Sequence, residues 1–168
     1  MRLIRNLAAG ALAGAVGTAA MDFVLWSRYR RGGGKESFGR WEFAADVMSW
    51  EQASAPGQLG RKAVRKVTGE EPRDEWARPM TNLVHWATGI GWGVQYGALA
   101  SVTSRLPWLR ALTFGPVAWL SGYVILPLAK VYQPIWEYDA KTLARDLGGH
   151  LAYGAGTGTA FWLFVKLR

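Results

Sequence analysis

Three ionisable residues lie in stretches of the sequence that are otherwise almost free of charge. Asp22 lies near the end of one apolar run, His85 near the start of a second and His150 near the start of a later one. Ionisable groups within apolar segments are costly to bury and therefore invite a functional hypothesis.

Three interpretations of Asp22, His85 and His150 are open. Each histidine could hydrogen-bond a carbonyl or an aspartate on a neighbouring helix and so orient the helices. The histidines could instead sense or relay protons, because imidazole titrates near neutral pH. Two imidazoles and one carboxylate would also suit a Zn or Fe ion. The sequence has no His–Glu–His spacing along one helix and no nucleophile with a base, so an enzyme is the less favoured interpretation. A metal-dependent membrane enzyme would need a bound ion with an open coordination position.

The elements that must position these residues are four apolar runs, each long enough to cross a hydrocarbon layer of about 30 Å at about 1.5 Å per residue. The first run is longer than the apolar core of a signal peptide, which favours a retained transmembrane helix. We therefore expect an all-α integral membrane protein, a single membrane domain over residues 1–168 with four transmembrane helices in a bundle. The runs cover residues 3–27, 80–104, 109–130 and 146–167.

Tryptophan placement and charge distribution agree with this expectation. Half of the residues are hydrophobic, yet the mean hydropathy is +0.00 because most charges are concentrated between residues 28 and 78. The chain has 10 tryptophans, and tryptophan is enriched where a helix meets the membrane–water interface. Those near the ends of apolar runs are Trp26, Trp86, Trp108, Trp136 and Trp162.

Glycines recur at every fourth position in three of the four runs. This spacing places small residues along one helix face, where a second helix can approach closely. We expect runs one, two and four to pack tightly, either on each other or on a partner. The residues are Gly10 and Gly14, then Gly89, Gly93 and Gly97, and finally Gly154 and Gly158.

The polar insert of residues 28–79 contains two patterns typical of short amphipathic helices. Aromatic and apolar residues recur at roughly helical spacing between residues 38 and 53, and a second segment covers residues 57–69. The second segment has a basic face, formed by Arg61, Lys62, Arg65 and Lys66, which is typical of a helix lying on a lipid surface. An amphipathic helix packed on its own protein would show the same pattern.

The net charge of +8 favours contact with anionic lipid over nucleic acid, because the basic residues flank the apolar runs. Fourteen of the 20 Lys and Arg residues lie in the insert and in the second polar loop, residues 130–145. The positive-inside rule then predicts a cytoplasmic insert with both termini on the other side. The absence of cysteine excludes disulfides and thiolate metal sites.

Three segments beyond Asn82 carry a resemblance to a known family. They are NLVHWATGIGWGVQYG, LPLAKVYQP and GGHLAY, in this order, and in them the chain resembles the YagU-like family of small bacterial inner-membrane proteins. His85, Pro127 and His150 fall on positions that match the family pattern. The resemblance implies a multi-pass, four-helix protein of the bacterial inner membrane, and it implies no particular reaction.

The expected function is helix packing, as an accessory or structural component of a membrane assembly or as a homo-oligomer. The alternative is a small proton-coupled transporter, channel or acid-stress protein that uses Asp22, His85 and His150. The expected partners are the lipid bilayer and other membrane helices or a second copy of the chain. We expect neither nucleic acid nor a cofactor as a partner.

Overall fold

The computed structural model describes residues 2–103 and 107–166, the side chain of Pro107 excepted. These residues form six α-helices and two short 3₁₀ turns, with no β-strand in the two ranges. The prediction of an all-helical fold is thereby confirmed. The helices are α1 (Arg2–Arg31), α2 (Phe38–Glu42), α3 (Ala55–Thr68), α4 (Ala77–Val102), α5 (Pro107–Leu128) and α6 (Ala140–Lys166), and the 3₁₀ turns are Asp74–Trp76 and Ile135–Glu137.

The four long helices correspond to the four apolar runs. They contain 30, 26, 22 and 27 residues for α1, α4, α5 and α6. Within the described ranges, α1 and residues Trp108–Leu128 of α5 are long and apolar enough to cross a membrane by length and composition. Helices α4 and α6 do not meet this criterion; they contain several glycine, tyrosine and tryptophan residues, which do not raise mean hydropathy. The structure therefore supports two of the four predicted spans on this criterion.

Helix α1 lies between α4 and α6, and α5 packs on the other side of α6. The contact between α1 and α4 is made by backbone against backbone. A Cβ atom added at Gly93 would lie 2.5 Å from the Cα atom and 2.7 Å from the nitrogen of Gly14. Only residues without a side chain permit this approach, so the glycine spacing determines how closely α1 and α4 pack.

Aromatic rings fill the half of the bundle that contains the start of α1 and the end of α6. Tyr96 is 1% exposed, and its ring contacts Phe114 at 4.9 Å and Phe161 at 5.3 Å between centroids, both edge to face. Edge-to-face contacts add to the energy of burying aromatic area. Helices α4 and α5 share few other contacts, so these rings hold them together at this end.

Large apolar side chains cover the outside of the bundle. On α5 alone, six aliphatic side chains and that of Trp108 are more than half exposed, and each of the other long helices also carries several exposed large apolar side chains. A water-soluble monomer rarely exposes a continuous apolar patch larger than a few hundred Å². The six residues on α5 are Leu112, Val117, Leu120, Val124, Ile125 and Leu128.

The insert folds against the beginning of α4. Helix α3 packs there through Gly57 and Gly60, and its last turn ends at Gly69, whose φ of 76° is the left-handed conformation that commonly ends a helix. The predicted second amphipathic helix is thus confirmed. Trp50 is 3% exposed and forms a small second core with Ala53 and Ala77.

The predicted first amphipathic helix of the insert is much shorter than its aromatic spacing indicates. It is confined to α2, Phe38–Glu42, and turns replace it from Phe43 onward. Ala44 adopts a positive φ of 47°, which ends the helical path. Contacts from α4 to the Phe43 carbonyl compete with continued helix, so tertiary structure overrides the local pattern.

Candidate functional site

Asp22 on α1 and His85 on α4 meet inside the protein. His85 Nε2 lies 2.8 Å from Asp22 Oδ2, within hydrogen-bonding distance. The Asp22 side chain is 4% exposed and that of His85 is 24% exposed, so the pair is largely withdrawn from solvent. The packing of α1 on α4 that follows from their glycines brings these two side chains together.

Glu42 from α2 joins this pair, although no pattern in the sequence singled it out. The ligand atoms of Asp22, Glu42 and His85 all lie within 4.8 Å of one another. Glu42 is 9% exposed, and among the residues that the structure describes neither of its carboxylate oxygens has a hydrogen-bond partner. We call these three residues the carboxylate–histidine cluster.

The chain immediately after α1 is folded back by hydrogen bonds to α1. The Tyr29 hydroxyl accepts hydrogen bonds from the backbone N–H groups of Lys35 and Glu36, at 3.2 and 3.3 Å. The Trp26 indole donates to the Glu36 carbonyl at 3.2 Å, and its ring packs edge to face on Phe38. These contacts bring α2 back onto the end of α1, beside Asp22.

Helix α4 fixes the other side of this segment. Arg78 and Asn82 both donate to the carbonyl of Phe43, each at 3.1 Å. Phe43 directly follows Glu42, so the two bonds determine where α2 ends. The position of Glu42 therefore depends on α1 and α4 together, which explains why local sequence spacing does not reveal it.

The surroundings of Glu42 favour its protonated form. Burial raises the pKa of Glu42 from 4.5 to about 7, and repulsion from the Asp22 carboxylate acts in the same direction. The neighbouring His85 ring and the Trp86 indole lower this pKa in part. Trp86 Nε1 is buried and makes no hydrogen bond of normal geometry to the described residues. The cluster is thus a buried acidic site whose charge is poorly compensated by the protein.

A cavity of about 680 Å³ lies beside the cluster. Only one half of each long helix lines the cavity. The lining begins at Thr18 on α1 and at Ala118 on α5, and it ends at Trp92 on α4 and at Tyr153 on α6. The insert contributes the rest of the wall. The lining is mainly apolar, with all three cluster residues on its surface. Its volume and lining are typical of a small-molecule site.

His150 lines the same cavity but lies outside the three-residue cluster. Its Nδ1 donates to the backbone carbonyl of Asp146 at 3.0 Å, within its own helix α6. The Asp146 carboxylate in turn accepts a hydrogen bond from the Trp119 indole at 3.1 Å. The structure therefore brings Asp22 and His85 together, and it gives His150 a separate aspartate partner.

The glycines identified by their spacing pack against other helices of the same chain. Gly10 and Gly14 face Gly89, Gly93 and Gly97 across the α1–α4 contact. On α6, Gly154 packs against the backbone of α5, and Gly158 against Ala111 of α5.

Three of the four basic residues on α3 already contact other groups of the protein. Arg61 pairs with Glu71, and Lys62 donates to the carbonyls of Ala129 and Lys130 at 2.9 Å each. Arg65 lies 3.5 Å from Glu71, and Lys66 is exposed. Contact of this face with lipid stays a prediction.

Comparisons with protein-family models, with curated proteins and with solved structures found no match to this chain. The cavity and the carboxylate–histidine cluster are therefore the features from which a function can be inferred.

Proposed function

We propose that the protein is a multi-pass membrane protein in which α1, α4, α5 and α6 all cross the bilayer. Helices α4 and α6 contain 26 and 27 residues, or about 40 Å at about 1.5 Å per residue, which exceeds a hydrocarbon thickness of about 30 Å. The exposed apolar side chains on all four long helices support this placement. Within a folded bundle, glycine-rich helices can cross a membrane despite a modest hydropathy.

Membership of the YagU-like family and location in a bacterial inner membrane are parts of the same proposal. The three sequence segments beyond Asn82 support them. With four spans, the insert and the second polar loop lie on one side of the membrane, and the excess of Lys and Arg in these two segments favours the cytoplasm.

We further propose that the function is to bind a small amphipathic molecule in the cavity. The observation that carries the proposal is a mainly apolar space of about 680 Å³ with three convergent ionisable groups on its wall. Apolar walls with a few fixed polar groups give affinity and orientation, respectively. A transporter or a sensor would use such a cavity, and helix packing alone would not require it.

The test is to fill the cavity without disturbing the helices. Gly122 of α5 lines the cavity, and a Cβ added there would meet no atom within 4 Å, so Gly122→Leu places its side chain in the open space. Native mass spectrometry on protein extracted in its own lipids should show a small-molecule mass on the wild type. This mass should be absent from Gly122→Leu.

The matched control is Gly91→Leu on α4. Gly91 also has no atom within 4 Å of an added Cβ, but it does not line the cavity. This variant should keep the bound mass. Equal retention by both variants, or a wild type that carries no small molecule, would contradict the proposed function.

Accessory function or self-association remains a second proposal, supported by the exposed apolar face of α5. The glycine contacts that first suggested it are made within the chain, so a partner would have to use the outer side chains. The same mass spectra test this proposal. Additional polypeptides, or copies of the chain, at fixed stoichiometry would support it, and a bare monomer would contradict it.

A further inference from the structure

The buried Glu42 carboxylate has an unmet need for a positive partner. Removing a carboxylate from water costs several kcal/mol unless hydrogen bonds or an opposite charge compensate. Both oxygens of Glu42 lack a hydrogen-bond partner among the described residues, and Asp22 adds a second buried carboxylate beside it. The single imidazole of His85 hydrogen-bonds Asp22 and makes no hydrogen bond to Glu42.

The spacing of the three side chains matches the requirements of one metal ion. Zn–N and Zn–O bonds of about 2.0–2.1 Å place two ligand atoms of a tetrahedral ion about 3.4 Å apart. The ligand atoms of the cluster lie within 4.8 Å of one another. Where two ligand atoms lie at this upper limit, movements of roughly 1.4 Å would bring them to the tetrahedral spacing, while Asp22 and His85 would separate slightly to admit the ion.

We propose that Asp22, Glu42 and His85 bind one divalent transition-metal ion, with Zn²⁺ the best match to the ligand set. Two carboxylates and one imidazole suit Zn²⁺, whereas Mg²⁺ and Ca²⁺ prefer oxygen ligands alone. The ion would compensate the charges of both buried carboxylates. Among the described residues, His85 hydrogen-bonds Asp22, and Glu42 has no hydrogen-bond partner. The ligands come from three segments, so the ion would also fasten the insert to α1 and α4.

Three protein ligands leave one position of a tetrahedral ion open. Sites of this kind bind water or a substrate group at the fourth position, in contrast to closed structural sites. All three ligands line the cavity, so the open position faces it. The metal site does not depend on a molecule in the cavity, and the two proposals can fail separately.

The experiment is a calorimetric titration of the detergent-purified protein with Zn²⁺ after treatment with a chelator. The purification tag must contain no histidine, because His85 and His150 are the two histidines of the chain. We expect one Zn²⁺ per chain, and much weaker binding of Mg²⁺. Glu42→Gln should weaken Zn²⁺ binding at least about tenfold, since even outer-shell partners of metal ligands change affinity by about 10–100-fold.

His150→Gln is the matched control, because His150 lines the same cavity beside another aspartate but lies outside the cluster. It should bind Zn²⁺ as the wild type does, and so should Gly122→Leu. Circular dichroism and size-exclusion chromatography establish that each variant is folded. Glu42→Gln preserves side-chain shape on a short surface helix, so it tests the site even where His85→Gln or Asp22→Asn fails to fold.

Three results would overturn the metal site: a wild type that binds no Zn²⁺, unchanged affinity in Glu42→Gln, or equal weakening in His150→Gln. Zn²⁺ binding by a protein that carries no small molecule would support the metal site while contradicting the proposed function. The reverse pair of results would contradict the metal site alone.

Discussion

At the scale of single residues, Glu42 is the group whose environment differs most from its sequence context. It lies among many charged residues of a polar insert, yet it is 9% exposed and faces Asp22 and His85. A buried carboxylate without a partner lowers the stability of the folded protein. The proposed metal site would account for this arrangement, because a bound ion offsets the cost of burying the carboxylate.

The pKa of Glu42 predicts how the stability of the metal-free protein depends on pH. Its folded pKa of about 7 exceeds the ordinary 4.5, so between these values the folded state holds more protons than the unfolded state. Stability should then fall as pH rises from about 4.5 to about 7 and change little above that. In chelator, the thermal midpoint followed by tryptophan fluorescence should be roughly 5 °C lower at pH 8 than at pH 5.

The control for this prediction is Glu42→Gln, which cannot ionise at this position. Its thermal midpoint should vary much less over the same pH range, and at pH 8 it should exceed that of the wild type. An identical pH dependence in the two proteins would show that other groups are responsible.

The candidate site was only partly predictable from the sequence. Asp22 and His85 stand out because they are ionisable groups in apolar runs, and the structure places them 2.8 Å apart. Glu42 could not be found in this way, since a charge in a polar segment is ordinary. The one available signal was its position between Trp41 and Phe43, in a segment of the insert where aromatic and apolar residues recur.

At the scale of elements, the glycine contact between α1 and α4 determines the position of the cluster. The sequence predicted close packing from the four-residue spacing, but a row of small residues does not specify which helix will lie against it. The structure pairs α1 with α4, and it packs α6 on α1 and α5. The insert was less predictable. Its aromatic spacing indicated a helix, but hydrogen bonds from Arg78 and Asn82 to the Phe43 carbonyl favour turns instead.

Gly93→Ala tests this contact. The added methyl group would lie 2.5 Å from the Cα atom of Gly14, so the backbones of α1 and α4 would have to separate. Overpacking of this kind costs about 1–3 kcal/mol. We expect a lower thermal midpoint and, because Asp22 and His85 lie on these two helices, weaker Zn²⁺ binding.

Gly91→Ala is the comparison for Gly93→Ala, two residues away on the same helix. A Cβ added at Gly91 meets no atom within 4 Å, and alanine favours helix over glycine by about 1 kcal/mol. This variant should be as stable as the wild type or more so. If both variants behave alike, the close contact does not contribute to stability.

At the scale of the whole molecule, the number of spans decides on which side each loop lies. The chain contains no cysteine, so single cysteines can report the side from which a membrane-impermeant thiol reagent reaches each loop. The exposed positions Lys35, Thr103 and Lys141 serve for this purpose. With four spans, Lys35→Cys and Lys141→Cys react from one side and Thr103→Cys from the other.

A protein crossing the membrane only with α1 and α5 gives a different labelling pattern. Lys35→Cys and Thr103→Cys would then react from the same side, and Lys141→Cys from the opposite side. The three positions together thus separate two spans from four, and the result does not depend on the function of the cavity.

The distribution of the cavity along the bundle constrains how any solute could move. All of its lining on the long helices belongs to the halves next to the insert, whereas the other halves are sealed by the α1–α4 backbone contact and by the rings around Tyr96. The cavity therefore occupies only the half of the described bundle that lies next to the insert. A solute that crossed the whole bundle would have to pass the rings around Tyr96 or the glycine contact between α1 and α4, and separation of α1 and α4 would also pull apart Asp22 and His85.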